Sequence, residues 1–411
     1  MPEFHLFNIE ETAAETDEKL RANFIKKTEK IFPRFLFCLS PGDKAVFTKK
    51  ISPSFYDYAA RVLGISTDEK PLIFISKKSR PYYLCDSLIC DEKAFLKTKK
   101  AAKEGFSLSV FIETPKTARV AKEAGFKKIS GGKGLHFSRE ALLANDKSYF
   151  KKLCSKNGVP YIKGYTVSSM AAAERAIKTF PSYKKIFLKK TLYGGGMGNM
   201  FGRPLELIDR LENFYNKGTL IIEPFLEPSQ IIGTLCEISR EKSVYIGCDR
   251  QKSKNGKWSG FDYEISANRD EKFLKEKSVL LSEKLRKLGF RGIANFDWLK
   301  EKKTGKIYAL EANLRNNGFY FLFSFAKRYF KEKTNISYRE GLKTGSSGFK
   351  SFSAALEKKL KKWGFGLIKK PGEKDGFLIV CFSHGEASLA CFSASKKKFK
   401  KMKSFLEENF K

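Results

Sequence analysis

The sequence predicts an α/β region followed by an α+β region, and three observations carry that prediction. Up to about residue 140, short apolar runs such as Leu72-Ile73-Phe74-Ile75 alternate with helical stretches such as Ala94 to Glu104, and this alternation builds a parallel sheet. Between Gln230 and Arg315 a second set of strand-like runs encloses one long helical stretch, Glu271 to Leu288. From about residue 346, two short strands, Phe377 to Phe382 and Ala387 to Phe392, precede a basic amphipathic helix from Lys396 to Phe410.

Taken in order, residues 1–30 read as peripheral, with a helix near Thr16 to Ile31. Phe35-Leu36-Phe37-Cys38-Leu39 reads as a buried strand closed by the turn residues Ser40-Pro41-Gly42-Asp43. Pro53 to Leu63 reads as a helix with Pro at its start. Leu108 to Ile112 is a further strand, and Thr114-Pro115 opens a helix that Gly125 stops. Residues 1–140 are therefore expected to form a Rossmann-like domain. Ser130-Gly131-Gly132-Lys133-Gly134 is not a P-loop, because Lys127 stands where the motif requires its first Gly; it reads as a turn. Asn145 to Lys156 reads as a helix closed by Asn157-Gly158-Val159-Pro160. Units at 141–225, 226–340 and 346–411 follow, the last a small α+β unit behind a linker at 346–348.

With 411 residues, 42% hydrophobic and 30% charged, the chain has ample core. No apolar run approaches the roughly 18 residues that cross a bilayer. The first 19 residues are acidic and polar rather than basic then apolar, so a cytoplasmic protein is expected. The eight Cys form no Cys-x-x-Cys pair and lie among apolar residues, which reads as reduced, buried thiols. Three His exclude a histidine-centred metal site. The net charge of +35 has three readings: compositional drift, attraction to an acidic substrate or partner, or nucleic-acid binding. The excess is carried by 63 Lys against 17 Arg. Nucleic-acid recognition favours Arg forks, so drift is preferred and nucleic acid is not expected as a partner.

The chemistry concentrates in Glu311-Ala312-Asn313-Leu314-Arg315 and in Asp297. In a strand Glu311, Asn313 and Arg315 share one face, while Leu310, Ala312 and Leu314 share the other. A Gly-containing turn from Glu301 to Gly305 folds this run back on Ile293 to Leu299, which ends near Asp297. Oxygen ligands of this kind suit Mg²⁺ carrying nucleotide phosphates, and a neighbouring Arg suits a phosphoryl group in transfer. A solvated face of an amphipathic hairpin is the plainer alternative. Upstream, Ile186-Phe187-Leu188-Lys189 runs into Tyr193-Gly194-Gly195-Gly196-Met197-Gly198, a loop whose backbone N–H groups can close over phosphates. Leu220-Ile221-Ile222-Glu223-Pro224-Phe225-Leu226 is an apolar strand turning into a linker that suits an adenine or, equally, a crossover between units.

The series Asp146-Lys147, Lys189 with its Gly loop, Glu223 to Leu226, Asp297, then Glu311-x-Asn313-x-Arg315 resembles the ATP-grasp superfamily, nearest to its biotin-carboxylase-like branch. Gly158-Val159-Pro160 falls at the branch's spacing from Asp146-Lys147. Lys189 lies nine residues before Gly198, with Lys190 the competitor at eight. The resemblance implies an ATP-grasp fold over residues 140–330 behind a Rossmann-like domain. It assigns Lys147, Lys189, Gly194, Gly195, Gly196 and Gly198 to ATP phosphates, and Glu223, Phe225, Leu226 and Gln230 to adenine and ribose. Asp297, Glu311 and Asn313 would hold one or two Mg²⁺ or Mn²⁺, and Arg315 would contact the transferring group. Gln230 replaces the family's frequent ribose Glu. Asn316-Asn317-Gly318-Phe319 replaces the Gln-Val-Glu-His segment of biotin carboxylases, so bicarbonate and biotin chemistry is not expected. The implied activity is ligation of a carboxylate to an amine, an amino acid or peptide, through an acyl phosphate, with a homodimer as a common assembly. Gln251 to Gly260, polar and Gly-containing, reads as a second mobile loop near the acceptor with Arg250 and Lys252 as candidate substrate contacts, or as a plain solvated loop. The alternative is an ATP-binding protein without ligase activity whose basic surface holds a polyanion.

Overall fold

The computed structural model describes the chain apart from residues 13–17, 67–70, 80–81, 131–142, 193–197, 216–217, 255–256, 266–269, 331–332, 346–347, 384 and 410–411. The turn expected at 130–134, the linker at 346–348 and the Gly loop at 194–196 fall largely or wholly outside the described residues.

Three sheets organise the described chain. The first is parallel and contains Glu3–Leu6 (β1), Lys44–Phe47 (β2), Leu72–Phe74 (β3), Ser107–Val110 (β4) and Ile129–Ser130 (β5), in the order β3-β2-β1-β4-β5. The N-terminus expected to be peripheral therefore supplies the central strand, with Phe4 and Leu6 fully buried. The strand expected at Phe35–Leu39 is instead a 3-10 segment, Phe32–Cys38, with Pro33 in its first turn. A Pro cannot donate to a sheet ladder. An apolar run buried on every side carries no period that separates strand from helix. Helices at Pro53–Leu63, Glu92–Lys103 and Pro115–Ala124 lie where the caps place them, the last begun by a Thr114 capping box and ended at Gly125 with φ of 85°.

The second sheet is antiparallel and small: Tyr165–Val167 (β6), Ile186–Lys190 (β7), Asn199–Gly202 (β8) and Leu220–Pro224 (β9), in the order β6-β9-β7-β8. Helices Met170–Lys178 and Pro204–Phe214 bury Ala173, Ile177, Leu207 and Leu211 in a separate core with Leu188 and Ile222.

The third sheet has eight antiparallel strands: Pro228–Ile238 (β10), Ser243–Lys254 (β11), Lys257–Tyr263 (β12), Gly292–Glu301 (β13), Ile307–Asn313 (β14), Asn335–Lys343 (β15), Gly376–Ser383 (β16) and Glu386–Ser393 (β17). Their order is β14-β13-β10-β11-β12-β15-β17-β16. Helix Glu271–Lys287 buries Leu274, Leu281 and Leu285 against Phe296 and Trp298. The C-terminal α+β unit adds its strands to this sheet through β15, a strand that sequence reasoning missed. It also packs on the first domain: Phe349, from a helix Phe349–Lys362 that was likewise missed, meets the Phe55 ring at 5.3 Å, and the Ile379 N–H donates to the Tyr58 hydroxyl at 3.2 Å.

Candidate active site

Strand register builds one row of residues across four strands of the third sheet. Asp249 (β11), Gly233 (β10), Asp297 (β13) and Glu311 (β14) stand side by side. Asn295 and Asn313 face each other one step along. The Asp297 carboxylate accepts from Gln251 Nε2 (2.6 Å) and Asn295 Nδ2 (2.8 Å) on one oxygen and from Asn313 Nδ2 (3.0 Å) on the other. Burial and the neighbouring Glu311 charge push the Asp297 carboxyl up. Burial works the same way on Glu311, but Lys147, its Nζ 2.9 Å away, prevails and holds that carboxyl below its usual range. Asp249 is buried beside them, and burial followed by the Asp297 charge pushes its carboxyl well up.

Helix Lys147–Lys156 brings the first lysine to this row. Its N-cap Asp146 accepts from Ser148 N (2.8 Å) and Tyr149 N (3.1 Å), satisfying donors the first turn leaves open. Asn145 Oδ1 accepts from Leu314 N at 2.8 Å, which ties the helix start to the end of β14. Lys189 reaches the site from the end of β7. Its ammonium pairs with Glu223 on β9, and so does Lys151, one turn beyond Lys147. Lys151 also donates to the Ile162 carbonyl at 2.6 Å. Burial lowers the Lys151 pKa, opposed by Glu223. Of the two candidate lysines, Lys189 lines the cavity, whereas Lys190 Nζ sits 5.2 Å from the Phe214 ring. Phe225 stacks on Phe201 (5.5 Å) and Phe187 (6.3 Å), giving the hinge after Glu223 a flat apolar wall.

These groups surround a cavity of about 420 Å³ between the second and third sheets. Lys147, Lys189, Glu223, Phe225, Leu226, Lys252, Asp297, Glu311, Asn313 and Arg315 all line it. Three expected residues do not. Arg250 falls between Asp249 and Gln251, which do face the cavity, so strand alternation turns it to the other side. Gln230 gives way to Ile231 beside an irregularity in β10. Gly198 adopts φ of 69° and accepts the Lys190 N–H at 2.8 Å. Lys252 enters because β11 bulges between Lys252 and Ser253, and its ammonium lies 3.2 Å from Asp262. Asp249, Gln251, Asn295 and Lys151 were missed. The i, i+4 spacing of Lys147 and Lys151 on one helix face was the signal available for the last. Arg315 also borders a larger space of about 1370 Å³ between the parallel sheet and helix Gly318–Tyr329. Among the described residues no three His, Cys, Asp or Glu side chains cluster as a metal site. Any cation here therefore draws on the Asn amides as well as the carboxylates.

No family model matches this sequence, and no curated protein matches it. Solved structures do match in fold. Biotin carboxylase from Campylobacter jejuni, a β-γ-ATP complex, superposes with a TM-score of 0.60 at 14% identity over 92% of this chain and 89% of that one. The biotin carboxylase domain of Hydrogenobacter thermophilus 2-oxoglutarate carboxylase, in complex with MgADP, ADP and bicarbonate, gives 0.59 at 14% identity over 92% and 88%. N5-carboxyaminoimidazole ribonucleotide synthetase from Thermus thermophilus gives 0.56 at 14% identity over 92% and 95%. The small antiparallel sheet facing the large one across the cavity, behind a parallel N-terminal sheet, is thus the architecture of those proteins, and this chain has the ATP-grasp fold.

Proposed function

We propose that this protein is an ATP- and Mg²⁺-dependent ligase that activates a carboxylate as its acyl phosphate and joins it to an amine, releasing ADP and phosphate. One observation carries the reading: Asp297, Glu311, Asn313 and Arg315 face Lys147 and Lys189 across a single cavity. Two similar proteins were solved with β-γ-ATP and with MgADP, which supports it.

In this reading Lys147 and Lys189 neutralise the phosphates. Phe225 and Leu226 receive the adenine. The Glu223 carboxylate, held by two lysines, acts by fixing Lys189 rather than by touching the base. Asp297, Glu311 and Asn313 are all oxygen donors and fit Mg²⁺ or Mn²⁺. Bound there, the cation supplies charge neutralisation on the phosphoryl oxygens. Arg315, between the two spaces, then faces the transferring group and the acyl phosphate, and makes no ion pair of its own among the described residues. Lys252 is retained as a substrate contact; Arg250 is not, because it faces away. Asn316-Asn317-Gly318 serves structure: Asn317 Oδ1 caps helix Gly318–Tyr329 by accepting from Tyr320 N at 2.8 Å, and a Cβ on Gly318 would stand 2.7 Å from the Trp258 ring. The amine is proposed to be an amino acid or short peptide, the compartment the cytoplasm and the assembly a homodimer.

A second reading has bicarbonate as the carboxylate, favoured by the bicarbonate complex among the similar structures. ADP release with ATP and Mg²⁺ decides between them when pooled amino acids and peptides, or bicarbonate with pooled amines, are offered in separate reactions against a Glu311→Ala blank. Release with the first pool supports the amide ligase. Release only with bicarbonate supports the second reading. No release above the blank in either sinks both.

A further inference from the structure

The strand order of the parallel sheet reverses between β1 and β4, and in open α/β sheets ligands settle outside the carboxyl ends of the strands at such a point. Glu113 stands there, just past Val110, the last residue of β4. Its backbone is pinned on both sides. Asn8, past the end of β1, accepts from the Phe111 and Ile112 N–H groups (3.1 and 3.2 Å) and donates to the Ile112 carbonyl (2.9 Å). Thr114, after it, is held by the capping box of helix Pro115–Ala124. The Glu113 side chain itself is half-buried and makes no hydrogen bond or ion pair among the described residues, and burial alone pushes its carboxyl up to about 7. It lines the space of about 1370 Å³ that Arg315 also borders. The Asn316 N–H donates to the Phe111 carbonyl at 3.2 Å, which ties the chain beside Arg315 to the chain leading into Glu113. Phe111, Arg315, Asn316 and Asn317 line both this space and the cavity between the second and third sheets, so the two meet there.

After β1 the chain reads Phe7-Asn8-Ile9-Glu10-Glu11, with no Gly-rich turn to cradle a phosphate, so nothing marks this crevice for a dinucleotide. A rigidly held carboxyl without a partner suits an ammonium. Beyond it, Tyr245, Tyr320 and Phe323 give the space a partly exposed aromatic wall. Its volume exceeds the about 300–1,000 Å³ of an ordinary small-molecule site. We propose that Glu113 receives the ammonium of the acceptor amine, and that this acceptor is the N-terminus of a peptide rather than a free amino acid, its chain lying along the aromatic wall. The inference rests on the proposed ligase reading, in which Arg315 faces the acyl phosphate at the junction of the two spaces. The Glu113 carboxylate takes one proton from the ammonium. The freed amine forms the C–N bond at the acyl carbon as the C–O bond to phosphate breaks. Phosphate leaves with that electron pair and the amine's second proton, and the third stays on the amide nitrogen.

The test offers the full chain, in MgADP, an equimolar pool of tripeptides, the same pool N-acetylated, and the free amino acids, with binding read by saturation-transfer NMR. The free-amine tripeptides are expected to bind the parent at least about tenfold more tightly than the acetylated ones, the loss of one charge-assisted hydrogen bond, and more tightly than the free amino acids. Glu113→Gln is nearly isosteric, so it is expected to melt no lower than the parent and to keep MgADP binding while losing the preference for the free amine. Glu113→Asp is expected to retain part of that preference. Equal binding of the free and acetylated pools by the parent, a preference that survives Glu113→Gln, tighter binding of the free amino acids, or no binding of any pool overturns the proposal. Peptide binding that depends on Glu113 in a protein that never forms ADP leaves the amine site standing and removes the ligase reading instead. ADP formation with amines that Glu113→Gln leaves at the parent's rate removes the amine site and keeps the ligase reading.

Discussion

Glu223 holds two ammonium groups, Lys151 and Lys189, at a position 1% exposed to solvent. Removing the shared carboxylate leaves two buried cations facing each other. Such losses cost about 3–5 kcal/mol, more than the pair itself contributes. Glu223→Gln is therefore expected to lower the melting temperature by several degrees, whereas Lys189→Met, which leaves Glu223 paired with Lys151, is expected to lower it less. Equal stability of Glu223→Gln and the parent would contradict the account. Glu10 has a different signature. Burial, then the Glu11 charge, pushes its carboxyl up to about 8, while the Leu84 N–H donates to it at 2.7 Å. The folded chain thus keeps a proton that the unfolded chain releases near 4.5. The resulting stability is full below that value and is lost as pH rises through 8. Glu10→Gln keeps the acceptor for Leu84 and removes the titration. Its melting temperature is expected to match the parent's at pH 4 and exceed it at pH 9, by about 2–4 kcal/mol of stability; a parallel shift at both pH values would contradict this. At this scale the sequence exposed the residues that sit in a motif, Glu311, Asn313 and Asp297. Asp249 and Gln251 escaped because they reach the site only through pairing of β11 with β10, and no local spacing records that register.

At the scale of elements, helices with explicit caps were legible. Pro53 and Thr114-Pro115 mark starts, and Gly125 marks an end, because each residue supplies a backbone conformation or bond the terminus requires. Strands were less so. β1 has only four residues and mixes Glu3 and His5 with Phe4 and Leu6, so its central place in the parallel sheet is set by its neighbours. β15 escaped because Asn335 to Lys343 is polar at both ends, although Ile336 and Tyr338 are fully buried. The joint between β12 and β15 depends on Gly260, where φ is 148° and a Cβ would collide with the Tyr338 carbonyl. Gly260→Ala is expected to open that pairing, raising amide exchange in β15 to β17 well before β10 and β13 are affected. Unchanged protection in β15 would refute this role.

Across the whole molecule, the first domain and the last strands share one core. Phe55 and Tyr58 pack on Phe349, and Phe349 on Phe382, so residues near both ends depend on each other. A chain ending at residue 345 is expected to be insoluble or molten, because it exposes Phe55, Tyr58 and the apolar face of β15. A sharp cooperative melt from that truncated chain would contradict a shared core. Among the described residues no helix is long and apolar enough to cross a membrane. The order of site residues along the chain was readable because each sits in a short local motif of its own strand or helix; how the C-terminal strands close on the N-terminal domain was not, since long-range packing leaves no short-range signal. The central claim is that the cavity between the two antiparallel sheets receives a Mg²⁺-bound nucleotide. Calorimetric titration of ATP into the purified protein, with Mg²⁺ and with EDTA, tests it most directly. The account predicts Mg²⁺-dependent binding that Lys189→Met weakens at least about tenfold while the fold is kept. No binding by the parent, or binding untouched by Lys189→Met and by Mg²⁺ removal, would contradict it.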